Sequence, residues 1–168
     1  VYAILAAIAV AFSEGLPIES TIQRVQELPP TSGRLEPVQL GNGAFILRDD
    51  FKASLETIDS ALDMLAEIPA ERKIVILGEV SEPRGSKGPI YRRIGERIAR
   101  IASKAVFVGS SFQLYASGAS RGGLPRTSLI NAGRDVLGTA QLIKDDLKPG
   151  DVVLVKGRTG QRLDRISH

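Results

Sequence analysis

Three short, continuously apolar runs recur along the chain: Lys73–Leu77 (KIVIL), Ala105–Val108 (AVFV) and Val152–Val155 (VVLV). Each is too short for an ordinary helix and rich in β-branched residues, which favours strands. None alternates apolar with polar positions, so each strand needs cover on both faces. That is the pattern of a parallel sheet between two layers of helices. The intervening segments supply the helices. Residues 55–67 place Leu55, Ile58, Leu62, Leu65 and Ala66 at helical spacing, and residues 89–103 do so with Ile90, Ile94, Ile98 and Ile101. Residues 111–118 and 133–147 are further helical candidates. Ahead of them, Val38–Leu40 and Ala44–Leu47 flank Gly41-Asn42-Gly43, a β-hairpin signal. The chain therefore reads as α/β: a Rossmann-like three-layer domain with a mostly parallel sheet, starting with a β-hairpin and preceded by two helices.

Those two helices are expected over residues 3–14 and 18–27, joined at Glu14-Gly15-Leu16-Pro17. The first is apolar all round, which predicts packing on several sides. The second gathers Ile18, Ile22 and Val25 on one face. The opening apolar run, Val1–Phe12, is too short to span a bilayer and lacks the basic flank of a secretory signal. With no initiator Met, the sequence reads as a piece of a longer chain that begins inside a domain. Pro29-Pro30 remove backbone donors and bias their neighbours to extended conformations. A boundary is expected there, giving domains 1–30 and 31–168.

Composition removes several function classes. The absence of cysteine excludes disulfides and thiolate metal sites. The single histidine, His168, is the last residue, which disfavours a histidine metal centre or a Ser-His-Asp triad. A net charge of +3 without a dense Lys/Arg block gives no footprint for nucleic acid, so neither a nucleic-acid nor a membrane partner is expected. Neither Gly-x-x-x-x-Gly-Lys-Ser/Thr nor Gly-x-Gly-x-x-Gly occurs. Any ATP chemistry would need residues from elsewhere, and no catalytic residue is assigned in this chain.

In parallel sheets ligands sit at the carboxyl ends of strands, and three such ends carry chemistry. Asp49-Asp50 could accept hydrogen bonds from a ribose diol, or Asp50 could simply cap the following helix. Gly78-Glu79 leads through Glu82 into an irregular Gly/Pro/Ser/Lys loop, Pro83–Pro89, a candidate lid or a solvated loop. Lys156-Gly157-Arg158-Thr159-Gly160 is either an anion-binding corner or a positively charged turn. Lys156 is read there as a surface residue whose truncation costs within about 0.5 kcal/mol. Arg34, after a turn, can clamp a phosphate or carboxylate, or lie solvated.

In order and spacing, Pro30-Thr31-Ser32-Gly33-Arg34-Leu35-Glu36, Asn42-Gly43-Ala44 leading to Asp49-Asp50, Val75-Ile76-Leu77-Gly78-Glu79-Val80 with Glu82, and Val153-Leu154-Val155-Lys156-Gly157-Arg158-Thr159-Gly160 resemble the Mur ligases. These are the ATP-dependent amide ligases of bacterial cell-wall (peptidoglycan) precursor synthesis. The similarity is greatest to the branch that adds D-alanyl-D-alanine, and covers nearly the whole chain. It implies a cytoplasmic enzyme of three domains, of which residues 1–30 would be the last helices of the central ATP-binding domain. Residues 31–168 would then be the Rossmann-like C-terminal domain. The P-loop and the Mg2+ ligands would lie upstream. The family's reaction phosphorylates a carboxylate on a UDP-linked muramoyl peptide with ATP, and an amino acid or dipeptide amine then attacks. The resemblance implies ATP contacts from Arg34 and Asp49 or Asp50, and substrate contacts from Lys52, Glu79, Glu82, Lys156 and Arg158.

The sequence also departs from the family pattern. Where the family has Asp-Ser-Tyr-Asn-Ala-Asn-Pro, this chain has Asp49-Asp50-Phe51-Lys52-Ala53-Ser54-Leu55. Tyr91 stands where a histidine is common, and Ala3 where an asparagine is expected. A diverged ligase with a non-peptidoglycan substrate, or a non-catalytic Rossmann-like binding module, are the alternative readings.

Overall fold

The computed structural model describes residues 2–83 and 85–166. His168 lies outside them. The chain divides into two compact units with the boundary between Pro30 and Thr31.

The first unit holds helices α1 (Tyr2–Ser13) and α2 (Ile18–Gln26). The expectation that the first helix is packed on several sides is not met within this chain. Leu5, Val10 and Phe12 are each more than half exposed, and α2 has no buried residue. Two short helices offer each other one stripe of contact and leave the rest of an all-apolar surface uncovered.

The second unit is built on a six-stranded sheet. Its elements run β1 (Glu36–Gln39), β2 (Phe45–Asp49), α3 (Leu55–Glu67), β3 (Arg72–Leu77), α4 (Lys87–Ala99), β4 (Lys104–Val108), α5 (Phe112–Arg121), β5 (Leu129–Gly133), α6 (Val136–Asp146) and β6 (Asp151–Lys156). The strand order is β1-β2-β6-β3-β4-β5, with β1 antiparallel to β2 and every other pairing parallel. The class, the hairpin start and the three layers agree with the sequence reading. Strand β5 was not anticipated. It lies at the edge with a half-exposed pattern, so its sequence LINAG has no continuous apolar run. The helix expected over 133–147 accordingly starts later, at Val136.

Strand pleating sorts the apolar residues into two layers. Leu47, Val75, Leu77, Phe107 and Leu154 face α3, α4 and α5, against Leu62, Leu65, Tyr91, Ile98 and Tyr115. Ile46, Ile74, Ile76, Val153 and Val155 face the opposite way, against Ile143 of α6 and Leu163 and Ile166 of a closing 3-10 turn. Each such fully buried side chain contributes roughly 1.5–3 kcal/mol. Helices α4 and α5 cross at backbone contact. A Cβ at Gly95 would overlap the Tyr115 carbonyl, and one at Gly118 the Arg92 carbonyl.

Strand β6, last in sequence, lies between β2 and β3. After β2 and β3 the chain turns into α3 and α4 on one layer. After β6 it turns into the 3-10 segment on the other. Neighbouring strands thus send their connections to opposite faces, which opens a crevice at the carboxyl end of β6, the usual ligand position in such sheets.

A candidate ligand site at the carboxyl edge of the sheet

Asp49 ends β2 and Lys156 ends β6, paired in register across the crevice. The Lys156 side chain is 1% exposed, and its ammonium donates to Asp49 Oδ2 at 2.8 Å and to the Lys52 carbonyl at 2.5 Å. The reading of Lys156 as a surface residue is therefore overturned. A buried ammonium survives because two of its three donors find acceptors in place of water, one of them a carboxylate. Burial pulls its pKa below the ordinary lysine value, against the upward pull of Asp49, and Arg34 adds to the lowering.

Asp50 points elsewhere. It lines a polar recess of about 360 Å³ with Gly33, Arg48, Phe51, Thr159 and Arg162. Arg48 reaches Glu36 at 3.3 Å and Asp50 at 3.5 Å, while its Nε is buried with no acceptor. Arg34 is exposed, and its guanidinium lies over the Phe51 ring at 4.2 Å. The Thr159 hydroxyl donates to the Phe51 carbonyl, tying the segment after β6 to the same recess. Asp50 does not cap α3. Ser54 does, accepting from the Thr57 amide.

Glu79, just past β3, belongs to a third group. Its Oε1 accepts from the Ser110 and Ser111 amides at 2.7 and 3.0 Å and from the Ser110 hydroxyl at 3.2 Å. Its Oε2 accepts from the Ser111 and Tyr91 hydroxyls, both at 2.8 Å. A carboxylate thus closes the N-terminus of α5, where helix-end amides favour negative charge. Burial would raise its pKa, but the Ser111 and Tyr91 hydroxyls and the two amides outweigh it and hold the carboxyl below its ordinary range. Burial, seconded by Glu79, raises the Tyr91 hydroxyl. Gly109 makes this possible: at φ +122° its missing side chain leaves room for Glu79 Oε1, which an added Cβ would meet at 2.5 Å.

The remaining expected residues are less engaged. Lys52, Glu82 and Arg158 are exposed, Glu82 with a left-handed backbone at φ 48°. The structure thus joins Asp49, Lys156 and the Lys52 backbone in one cluster and places Asp50 and Arg34 around Phe51 in a second. Glu79 stands in a third. Gln161, unremarked in the sequence, links two strand ends: it accepts from the Glu79 amide at 3.1 Å and donates to the Val108 carbonyl at 3.3 Å. Ser110 and Ser111 were missed as well. Their one sequence signal was their place directly after the AVFV strand and its glycine.

Against known protein families, the model described as Mur ligase, glutamate ligase domain matches residues 33–159. The chain belongs to the Mur ligase family. All three clusters fall within the matched span. UDP-N-acetylmuramoyl-tripeptide–D-alanyl-D-alanine ligase of Escherichia coli K12 is 25% identical over 165 residues, covering 96% of this chain and 34% of the relative. The protein of that name from Treponema pallidum is 30% identical over 164 residues, covering 96% and 35%. Among solved structures, MurF from Acinetobacter baumannii matches with a TM-score of 0.78 at 19% identity, over 97% of this chain and 35% of that one. MurF ligase from Thermotoga maritima in complex with ADP matches at 0.74 and 21% identity, over 96% and 35%. These structures share the fold of this Mur ligase domain, which spans about a third of the length of the curated relatives it matches.

Proposed function

We propose that this Mur ligase chain is the closing C-terminal part of an ATP-dependent amide ligase acting in the cytoplasm on cell-wall precursors. Residues 1–30 are the last helices of its ATP-binding domain, and the upstream domains are its partners within the same polypeptide. The observation that carries the reading is the recess formed by Gly33, Asp50 and Phe51 with Arg34 stacked beside it, at the start of the second unit. An exposed guanidinium suits a phosphate, and a carboxylate suits a ribose diol. Of the two adjacent carboxylates, Asp50 faces the nucleotide, since Asp49 is committed to Lys156.

ATP, when bound, supplies the phosphoryl group that activates the acyl substrate, a UDP-linked muramoyl peptide. Among the described residues no group of three or more His, Cys, Asp or Glu side chains could hold a metal ion. Mg2+ is assigned to the upstream domain on the family pattern. The chain's own part is to close, exclude water and present the amine. Glu82 and Arg158, exposed beside the carboxyl edge, offer an acid and a base to the ammonium and carboxylate of an amino acid or dipeptide of the D-alanyl-D-alanine kind. Glu79 shapes that side from beneath, and Lys52 faces the nucleotide-linked substrate.

The test is phosphate release by the full-length protein with ATP, UDP-muramoyl tripeptide and a panel of amines. Release dependent on D-alanyl-D-alanine supports the proposal. Release with another amine instead identifies a diverged ligase, the reading favoured by Tyr91 where the family commonly has histidine. No release with any amine leaves a non-catalytic Rossmann-like module.

A further inference from the structure

The geometry points to Lys156 as a positioning residue for the nucleotide side of the site: through Asp49 and the Lys52 carbonyl it fixes the segment that carries Asp50, and it is not a ligand of the amine. The inference rests on reading Asp50 and Arg34 as nucleotide-facing.

Strand β2 stops at Asp49, so residues 50–53 leave the sheet without a ladder partner. Their far end is held at Ala53, whose carbonyl accepts from the Ser81 amide at 2.7 Å and whose amide donates to the Ser81 hydroxyl at 3.3 Å. Their near end is held by the Gly157 amide, which donates to the Asp49 carbonyl at 3.3 Å. Between these anchors stand the Phe51 carbonyl, bound by Thr159, and the Lys52 carbonyl, bound by the Lys156 ammonium. The same ammonium grips the Asp49 carboxylate, so one buried cation ties the end of the strand to the middle of the segment. Two of the three ammonium donors are used inside the protein, and the head is closed off from solvent. Reaching an amine substrate would break both bonds and leave Asp49 buried without its counter-charge.

The test has two arms. In the intact ligase, Lys156→Met should raise the KM for ATP on the order of tenfold or more, as expected when supporting residues let a binding group shift. The KM for the amine should stay unchanged. In the 168-residue chain, Lys156→Met and the shape-conserving Asp49→Asn should each speed amide exchange at residues 50–53, while the β3 amides keep their protection. The double variant should add little to either single one. A raised amine KM with an unchanged ATP KM would overturn the inference, and so would unchanged exchange at 50–53 in Asp49→Asn. Because exchange needs no turnover, it tests the positioning role even where the ligase reading fails.

Discussion

Glu79→Ala gives the sharpest test of how the carboxyl edge is held together. The substitution removes an acceptor used by two backbone amides and three hydroxyls. Loss of the charge at the start of α5 resembles loss of a helix cap, about 1 kcal/mol. The Tyr91 hydroxyl then keeps the Val80 amide as a donor to it but loses its own acceptor. A buried hydroxyl left so costs about 1–3 kcal/mol. The Ser110 amide is exposed and rehydrates, so it adds little. The sum is about 2–4 kcal/mol, a large share of a stability of about 5–15 kcal/mol. Glu79→Gln keeps an acceptor oxygen and should lose about half as much. The assay is urea unfolding followed by tyrosine fluorescence. The chain has no tryptophan, Tyr2 lies in the other unit, and Tyr91 and Tyr115 pack at 4.6 Å beside the site. The carboxyl is held below its ordinary value of 4.5, so its contribution is in place above about pH 4.5 and is lost as pH falls through the folded-state value. The gap between wild type and Glu79→Gln should therefore close in acid. An alanine variant within about 0.5 kcal/mol of wild type at neutral pH, the range of ordinary surface changes, would refute the reasoning.

Other expectations follow from the same structure. Gly118→Ala should force α4 and α5 apart at the Arg92 carbonyl, costing about 1–3 kcal/mol, and calorimetry should show a Tm lower by several degrees; an unchanged Tm would mean the helices do not touch there. Asp151→Asn weakens the two-point grip on Arg72 and the contact to the Lys148 amide. A loss of roughly 2–4 kcal/mol is expected, less than for a pair removed wholly from water. The Arg72 hydrogen bond holds the Asp151 carboxyl below its ordinary 3.8, so its stabilisation is present above about pH 3.8 and fades below it. A variant whose acid unfolding curve matches wild type would contradict this. Arg34→Ala should leave the melting curve within about 0.5 kcal/mol of wild type, yet weaken ATP binding by the full-length protein on the order of tenfold, as for one lost charge-assisted hydrogen bond. Titration calorimetry reads both the heat and the affinity, and unchanged affinity would take Arg34 off the nucleotide.

The sequence showed the sheet most clearly where strands are covered on both faces, since Ile74–Leu77, Ala105–Val108 and Val152–Val155 have no polar position to blur them. It hid β5, because an edge strand needs cover on fewer sides and Asn131 is free to face water. Asp49 and Asp50 stood out as a pair, but their opposite duties follow from strand alternation and from a partner about a hundred residues later. Lys156 was misplaced because buried lysines are rare, and nothing in Val-Lys-Gly-Arg says the lysine turns inward. Ser110, Ser111 and Gln161 acquire meaning only once folding brings them to Glu79.

The placement of β6 has a consequence for how the domain is made. A ribosome delivers β2 and β3 long before the strand that belongs between them, and at about 5–20 residues per second the wait lasts seconds. Meanwhile two strongly apolar strands present bare inner edges, the kind of surface that recruits other chains. Half of the sheet can be zipped early through β3 and β4, but the hairpin has no mooring until Asp151–Lys156 arrives. Birth of this domain is thus a late, single closing event with a long-range parallel pairing, intrinsically slow, and a nascent chain stalled before β6 is a natural client for holding chaperones.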